Sequence, residues 1–147
     1  AALLHDIGKR INYYGHARHG AYMIVNSNLY GLSHVEQALA AVMVLNSHGI
    51  SGKVCRAFDY AALLDGQVRQ TALHMSIILG IAEALDETHE EIVKSVSTII
   101  KADCVELTVW TDTDCDYSTA RTAMSKFYKS FKKEFKRELI VKWKETL

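Results

Sequence analysis

The sequence predicts a mainly α-helical fold: a helical bundle over residues 1–92, followed by a small α+β unit over residues 93–147. Three observations predict it. Pro is absent from all 147 residues, so nothing breaks a helix from within. Apolar residues recur at helical spacing through the first 90 residues or so. Near residue 93 the texture turns β-branched and partly alternating, the pattern of strands.

The elements follow in order. "AALLH" (1–5) is apolar and helix-favouring, and reads as the last turns of a helix whose start is missing. Gly8 is placed to end it. "KRINYYGHARH" reads as a loop, and "GAYMIVNSNLYG" as a short helix stopping at Gly31. "SHVE" at 33–36 is a capping box: the Ser33 hydroxyl accepts an early amide proton and the Glu36 carboxylate reaches back. Val35, Ala38, Leu39, Val42 and Leu45 give the helix it opens an apolar stripe, which ends near His48-Gly49. "VCRAFDYAALLDG" reads as a helix stopping at Gly66. Residues 68–87 form the longest apolar helix, greasy on most sides, and are expected at the centre of the bundle. "VKSVSTIIKAD" and "CVELTVWTD" are two strands. Asp116 caps a helix carrying Ala120, Met124, Phe127, Phe131 and Phe135 on one face, and "ELIVKWKE" is a last strand. The tail is therefore β-β-α-β.

Formal net charge is zero, so no global field draws nucleic acid or a membrane to the chain. The local distribution is uneven. Residues 83–116 carry ten acids against two lysines, and residues 126–147 carry eight Lys/Arg against three acids. Cys55, Cys104 and Cys115 are odd in number and form no C-x-x-C pair, so they read as free thiols of a reducing cytosol. No stretch reaches the roughly 18 apolar residues of a spanning helix.

The chemistry concentrates around His5-Asp6. Imidazole beside carboxylate suits a borderline-to-hard divalent metal. Further ligands follow in order: His19, His48, and the pair Glu83 and Asp86, spaced three apart on one helix face. Helix ends and bundle interiors are where such sites are built. Each piece has a plain alternative. A lone His-Asp pair is weak, His48 before Gly49 suits a helix C-terminus, and His74 and His89 read as ordinary core and surface histidines. The combination is far more specific than its parts. Beside it, Lys9, Arg10, His16, Arg18 and His19 form a basic cluster, which reads either as loop solubility or as a phosphate-binding rim. The lysine-rich face of the 117–137 helix reads as a solvated face.

"LLHDIGK" resembles the HD superfamily of metal-dependent phosphohydrolases. The run "HDIGKRINYYGHARHGAYMIVNSNLYGLSHVEQALAAVMVLNSH", with "LGIAEALDETHEEIVKSV" after it, is similar to the C-terminal HD-like domain of the exopolyphosphatase / guanosine pentaphosphate phosphohydrolase family. The likeness covers essentially the whole chain. It implies an HD-like helical bundle in residues 1–92 with its N-terminal helices missing. It also implies that the phosphatase chemistry belongs to two actin-like N-terminal domains that this sequence lacks. The chain is then expected to be the accessory last third of a larger cytoplasmic hydrolase. Its expected partners are inorganic polyphosphate or guanosine pentaphosphate, its own N-terminal domains and a second copy in a homodimer, with no membrane and no nucleic acid. Lys9, Arg10, His16, Arg18 and His19 would hold the polyanion.

Two alternatives stand beside that reading. One is a true HD phosphohydrolase, with manganese, magnesium, iron or zinc held by His5, Asp6, His19, His48 and Glu83 or Asp86, and with Lys9 as the candidate charge stabiliser. The other is a structural dimerisation module. The sequence departs from the HD pattern in two ways: the first histidine, expected on an upstream helix, is absent, and Glu83 stands where an Asp is usual.

Overall fold

The computed structural model describes residues 1–50 and 64–146. Within them lie four α-helices and a three-stranded sheet, a mainly α fold with a small α+β part. The chain divides into two compact units, Ala1–Gly80 and Ile81–Leu147. The division falls inside the long helix, while the sequence texture changes at 93. The reason is packing: Ile81, Ala84 and Leu85 join the hydrophobic cluster of the second unit.

The first unit opens with two 3₁₀ turns, Ala2–Leu4 and Ile7–Arg10. Gly8 does not end a helix. It is buried inside the second turn, and a Cβ there would run into the His16 carbonyl oxygen and the Gly20 amide nitrogen. Its missing side chain permits a backbone-to-backbone approach.

Helix α1 is His16–Val25, four residues earlier at its start than the sequence predicts and six earlier at its end. Gly15 precedes it at φ 70, a left-handed conformation that glycine adopts without strain. "HARH" contains no helix breaker, so the helix takes it in. The early stop has side-chain causes. The Asn26 amide donates to the Tyr22 carbonyl and the Ser27 hydroxyl to the Met23 carbonyl, competing with continued helix. Gln37, from the next helix, places its amide nitrogen 2.6 Å from the Ile24 carbonyl, 3.1 Å from that of Val25 and 2.6 Å from that of Ser27.

Helix α2 is His34–Leu45, and the capping box forms as expected. The Glu36 amide donates to the Ser33 hydroxyl at 3.3 Å, and the Ser33 amide donates to the Glu36 carboxylate at 2.8 Å. Hydrogen bonds from the Ser33 amide and hydroxyl hold the Glu36 carboxyl below its ordinary range. A lowered folded-state value means the stabilisation is present above the unfolded value and disappears as pH falls through the folded one. Glu36→Gln is therefore expected to lower the urea midpoint at pH 7. The gap from wild type should narrow as pH falls below the ordinary glutamate range and on through the lower folded value. A gap that does not narrow would show that charge plays no part in this cap.

Helices α1 and α2 share a cluster of Ala21, Ile24, Ala40, Ala41 and Val44. Val44 sits tight against Gly20, 3.1 Å from where a Cβ would lie. Most of the helix expected at 54–66 lies outside the described residues. Gly66, expected to stop it, is instead the first residue of α3, Gly66–Leu85. Ala72, Ser76 and Ile77 of α3 are buried, whereas Met75 is 41% exposed and Ile78 is 51% exposed. The helix thus buries one face rather than sitting enclosed, although its apolar residues occupy both.

The second unit is β-β-α-β, as expected. Strand β1, Val93–Ile100, runs antiparallel to β2, Cys104–Thr111. Strand β3, Glu138–Glu145, runs parallel to β2, which is central. Parallel neighbours need a crossover, and α4, Ser118–Phe135, supplies it. Asp116 accepts the Ser118 amide at 2.8 Å, so it caps from one position before the helix boundary at Tyr117. Ala123, Met124 and Phe127 of α4 pack on Leu107 and Val109 of β2 and on Leu139, Val141 and Trp143 of β3. Burying a side chain the size of Phe127 contributes about 2–3 kcal/mol. On the opposite face of the sheet, Lys101 and Lys142 both bind Glu106, at 2.6 and 3.0 Å.

Candidate functional site

The site is built from three backbone events in the first unit. The second 3₁₀ turn carries Asp6 at its start and Lys9 within it. The start of α1 presents His16. The turn after α2 presents His48. The close packing of Gly8 on α1 brings the first two together.

One ligand-capable atom from each of Asp6, His16 and His48 lies within 4.8 Å of the others. The Nε2 atoms of His16 and His48 are 2.7 Å apart, with the rings edge to face at 83°. Asp6 Oδ1 is 3.5 Å from His16 Nε2. It is buried and receives no hydrogen bond. His5 Nε2 lies 3.7 Å from Asp6 Oδ2.

Both imidazoles next to Asp6 are oriented from behind. His16 Nδ1 is 2.8 Å from the Tyr13 carbonyl, and His5 Nδ1 is 2.7 Å from that of Ala2. A carbonyl only accepts, so each Nδ1 carries the proton. That leaves Nε2 of the neutral ring as an electron-pair donor aimed at Asp6 or His48. A backbone carbonyl fixing the far nitrogen is the support that metal-bound histidines characteristically have. With its Nδ1 protonated, His16 Nε2 accepts across the 2.7 Å contact and His48 Nε2 donates.

Lys9 forms a salt bridge to Asp6 Oδ2, and its ammonium is 6.0 Å from the centre of the Tyr13 ring. Burial pushes the Asp6 carboxyl up. The hydrogen bond and the positive charge of Lys9, joined by His5 and His16 whenever those rings are protonated, outweigh that, so the carboxyl sits below its ordinary value. It is an anion at neutral pH, with one oxygen occupied by lysine and the other facing imidazole nitrogen. Two nitrogen donors and one oxygen donor suit zinc, manganese or iron better than a fully oxygen-liganded ion such as calcium.

His19, expected as a ligand, lies half-buried on α1 outside this group, and His16 holds the place beside Asp6 and His48. Arg10 and Arg18 are exposed in the same unit, as are Tyr13, Tyr14 and Tyr22. Glu83 and Asp86 belong to the second unit. Glu83 is half-buried in the last turn of α3, and Asp86 pairs with His89 at 3.5 Å on the exposed surface. The H-x-x-H spacing at 16–19 was the available signal for His16. Reading the segment as a loop hid which of the two histidines begins the helix and faces the site.

The fold and the cluster define a mainly helical domain with a small α+β part and an Asp-His constellation near its N-terminus. The family model described as Ppx/GppA phosphatase, domain III, matches residues 1–138. The chain belongs to that family, as an accessory domain of a Ppx/GppA phosphatase. A comparison with curated proteins finds no match. Among the described residues no helix is long and apolar enough to cross a membrane.

Proposed function

We propose that this chain is the accessory domain of an exopolyphosphatase- or guanosine pentaphosphate phosphatase-type hydrolase, and that it holds a divalent cation and, beside it, a phosphoanhydride chain. The convergence of Asp6, His16 and His48 carries this reading. A cation held there supplies concentrated positive charge for phosphate oxygens. Arg10 and Arg18 supply the forked donors that fit such oxygens. Lys9, tied to Asp6, positions the carboxylate. Free Cys104 and Cys115 support a cytoplasmic setting.

Hydrolysis at the same cation is a second reading, favoured by the buried Asp6 Oδ1 that no hydrogen bond satisfies. The test is calorimetric titration of the chain with inorganic polyphosphate, with and without Mn²⁺. Binding is expected to require the ion. It should weaken about tenfold or more between 50 and 200 mM salt, as contacts to a few phosphates predict, and weaken again in the Arg10→Ala/Arg18→Ala double variant. Binding indifferent to salt and to both arginines would overturn the reading. Phosphate release by the chain alone, lost in Asp6→Ala, would establish the hydrolytic one.

A further inference from the structure

The sheet of the second unit has two faces. One packs on α4 through Leu107, Val109, Leu139, Val141 and Trp143. Side chains alternate along a strand, so the residues between these share the other face. The register sets them in rows across the three strands. Ser95, Trp110 and Lys144 form one row, and Ser97, Thr108 and Lys142 form the next. Ser95, Ser97, Lys142 and Lys144 are exposed. The Trp110 indole is half-buried, and the Lys144 ammonium lies 5.0 Å from the centre of its ring. A flat aromatic ring is thus presented in the middle of an open sheet, between hydroxyls on one side and lysines on the other.

Charge on this face is one-sided. Glu106 is shared by Lys101 and Lys142, at 2.6 and 3.0 Å. Glu138, at the start of β3, binds Lys132 at 2.6 Å. With Lys144, four lysines stand against two carboxylates, and the balance is positive. The zero net charge of the whole chain hides this, because it averages an acidic middle with a basic end. Lys142 and Lys144 are two residues apart on one strand, so they sit about 6.6 Å apart. Successive phosphates of an extended single strand have a similar spacing.

We propose that this open face binds single-stranded nucleic acid, with one base stacked on Trp110 and the flanking phosphates held by Lys142 and Lys144. The indole decides the class of ligand. A bare polyanion would use the lysines and leave the ring idle. Every base has a π-face, and stacking on an aromatic side chain beside a positive surface is how single strands are held without sequence preference. A base arriving on the ring displaces the Lys144 ammonium toward the phosphate, so one lysine guards the platform when it is empty and grips the backbone when it is filled. The hydroxyls of Ser95, Ser97 and Thr108 offer hydrogen bonds to base edges or sugars. The surface lies in the second unit and uses none of the groups around Asp6, so the inference is independent of the cation site.

Fluorescence anisotropy of a labelled oligouridylate of about 12 nucleotides, long enough for one such surface, tests it on the 147-residue chain. The dissociation constant is expected at about 1–100 µM, the range of non-specific binding. The deoxy counterpart is run beside it; binding of either supports the proposal, and the tighter one names the source. An abasic strand of equal charge should bind about tenfold more weakly, as should Trp110→Leu, since stacking is lost in both. Lys142→Gln/Lys144→Gln should weaken binding and flatten its salt dependence by roughly the two contacts removed, with the thermal midpoint unchanged. Asp6→Ala should bind as wild type does. The chain has two tryptophans, and Trp143 stacks on Tyr117 at 4.8 Å on the packed face. In Trp143→Phe the remaining emission, from Trp110, is therefore expected to be quenched by the strand. No binding up to about 1 mM, an abasic strand that binds as tightly as one with bases, or an affinity unmoved in Trp110→Leu would overturn the proposal.

Discussion

Asp6→Ala is expected to lose the Mn²⁺ that the wild-type chain retains after incubation and desalting, measured as ions per chain by mass spectrometry. Wild type should hold about one. Asp6 is the only anionic group among the three converging side chains, and removing it leaves two imidazoles to hold a hard-to-borderline ion. His16→Ala and His48→Ala should each weaken retention well beyond the roughly 10–100-fold that loss of an outer-shell partner costs. His19→Ala should retain the ion, because His19 lies outside the cluster. That contrast separates a built site from general histidine affinity. If wild type retains none, the hydrogen-bonded pair His16–His48, with Asp6 beside it, serves to tie α1 to the turn after α2, and the basic rim alone is left to bind phosphate. If His19→Ala loses the ion as fully as His16→Ala, the ligand assignment is wrong.

Gly8→Ala is expected to destabilise the first unit by about 3 kcal/mol, the upper end of ordinary overpacking. The methyl group would meet the His16 carbonyl oxygen and the Gly20 amide nitrogen. Both are backbone atoms of α1, so no rotamer change relieves the clash; the turn or the helix has to move. Gly15→Ala provides the contrast. Nothing lies within 4 Å of a Cβ there, and the cost is the left-handed φ alone, about 1 kcal/mol. Urea denaturation of the two variants separates contact from conformation. Equal midpoints would show that α1 has room to shift away from the turn. Gly8→Ala should also weaken ion retention, since moving α1 carries His16 away from Asp6.

The features legible in the sequence were those with local causes. Ser33 and Glu36 are three residues apart and cap one another. Ala120, Met124, Phe127 and Phe131 repeat at the helical period and are buried. The β-branched runs at 93–100 and 104–111 became strands. What stayed hidden was set by residues distant in sequence. Gly8 looks like a helix terminator until α1 is seen lying on it. The end of α1 depends on Gln37, more than ten residues further on. His16 and His48 are 32 residues apart, and only the packing of α1 on α2 brings their rings into contact. Asp6 and His48 could be named because helix ends and His-Asp pairs are conspicuous. Choosing between His16 and His19 required knowing where the helix begins.

The Gln37 amide has one more consequence. Asn26 and Ser27 close the Tyr22 and Met23 carbonyls from within the same segment, but the side-chain donor to the Ile24 and Val25 carbonyls, and to that of Ser27, comes from the first turns of α2. Neither helix can therefore fray at this junction by itself. Opening α2 there releases the Ile24 and Ser27 carbonyls, and opening α1 strands the glutamine. Deuterium should reach the two helices at a common rate, as one cooperative element. The fluctuation that loosens α2 is then the same one that carries His16 away from His48.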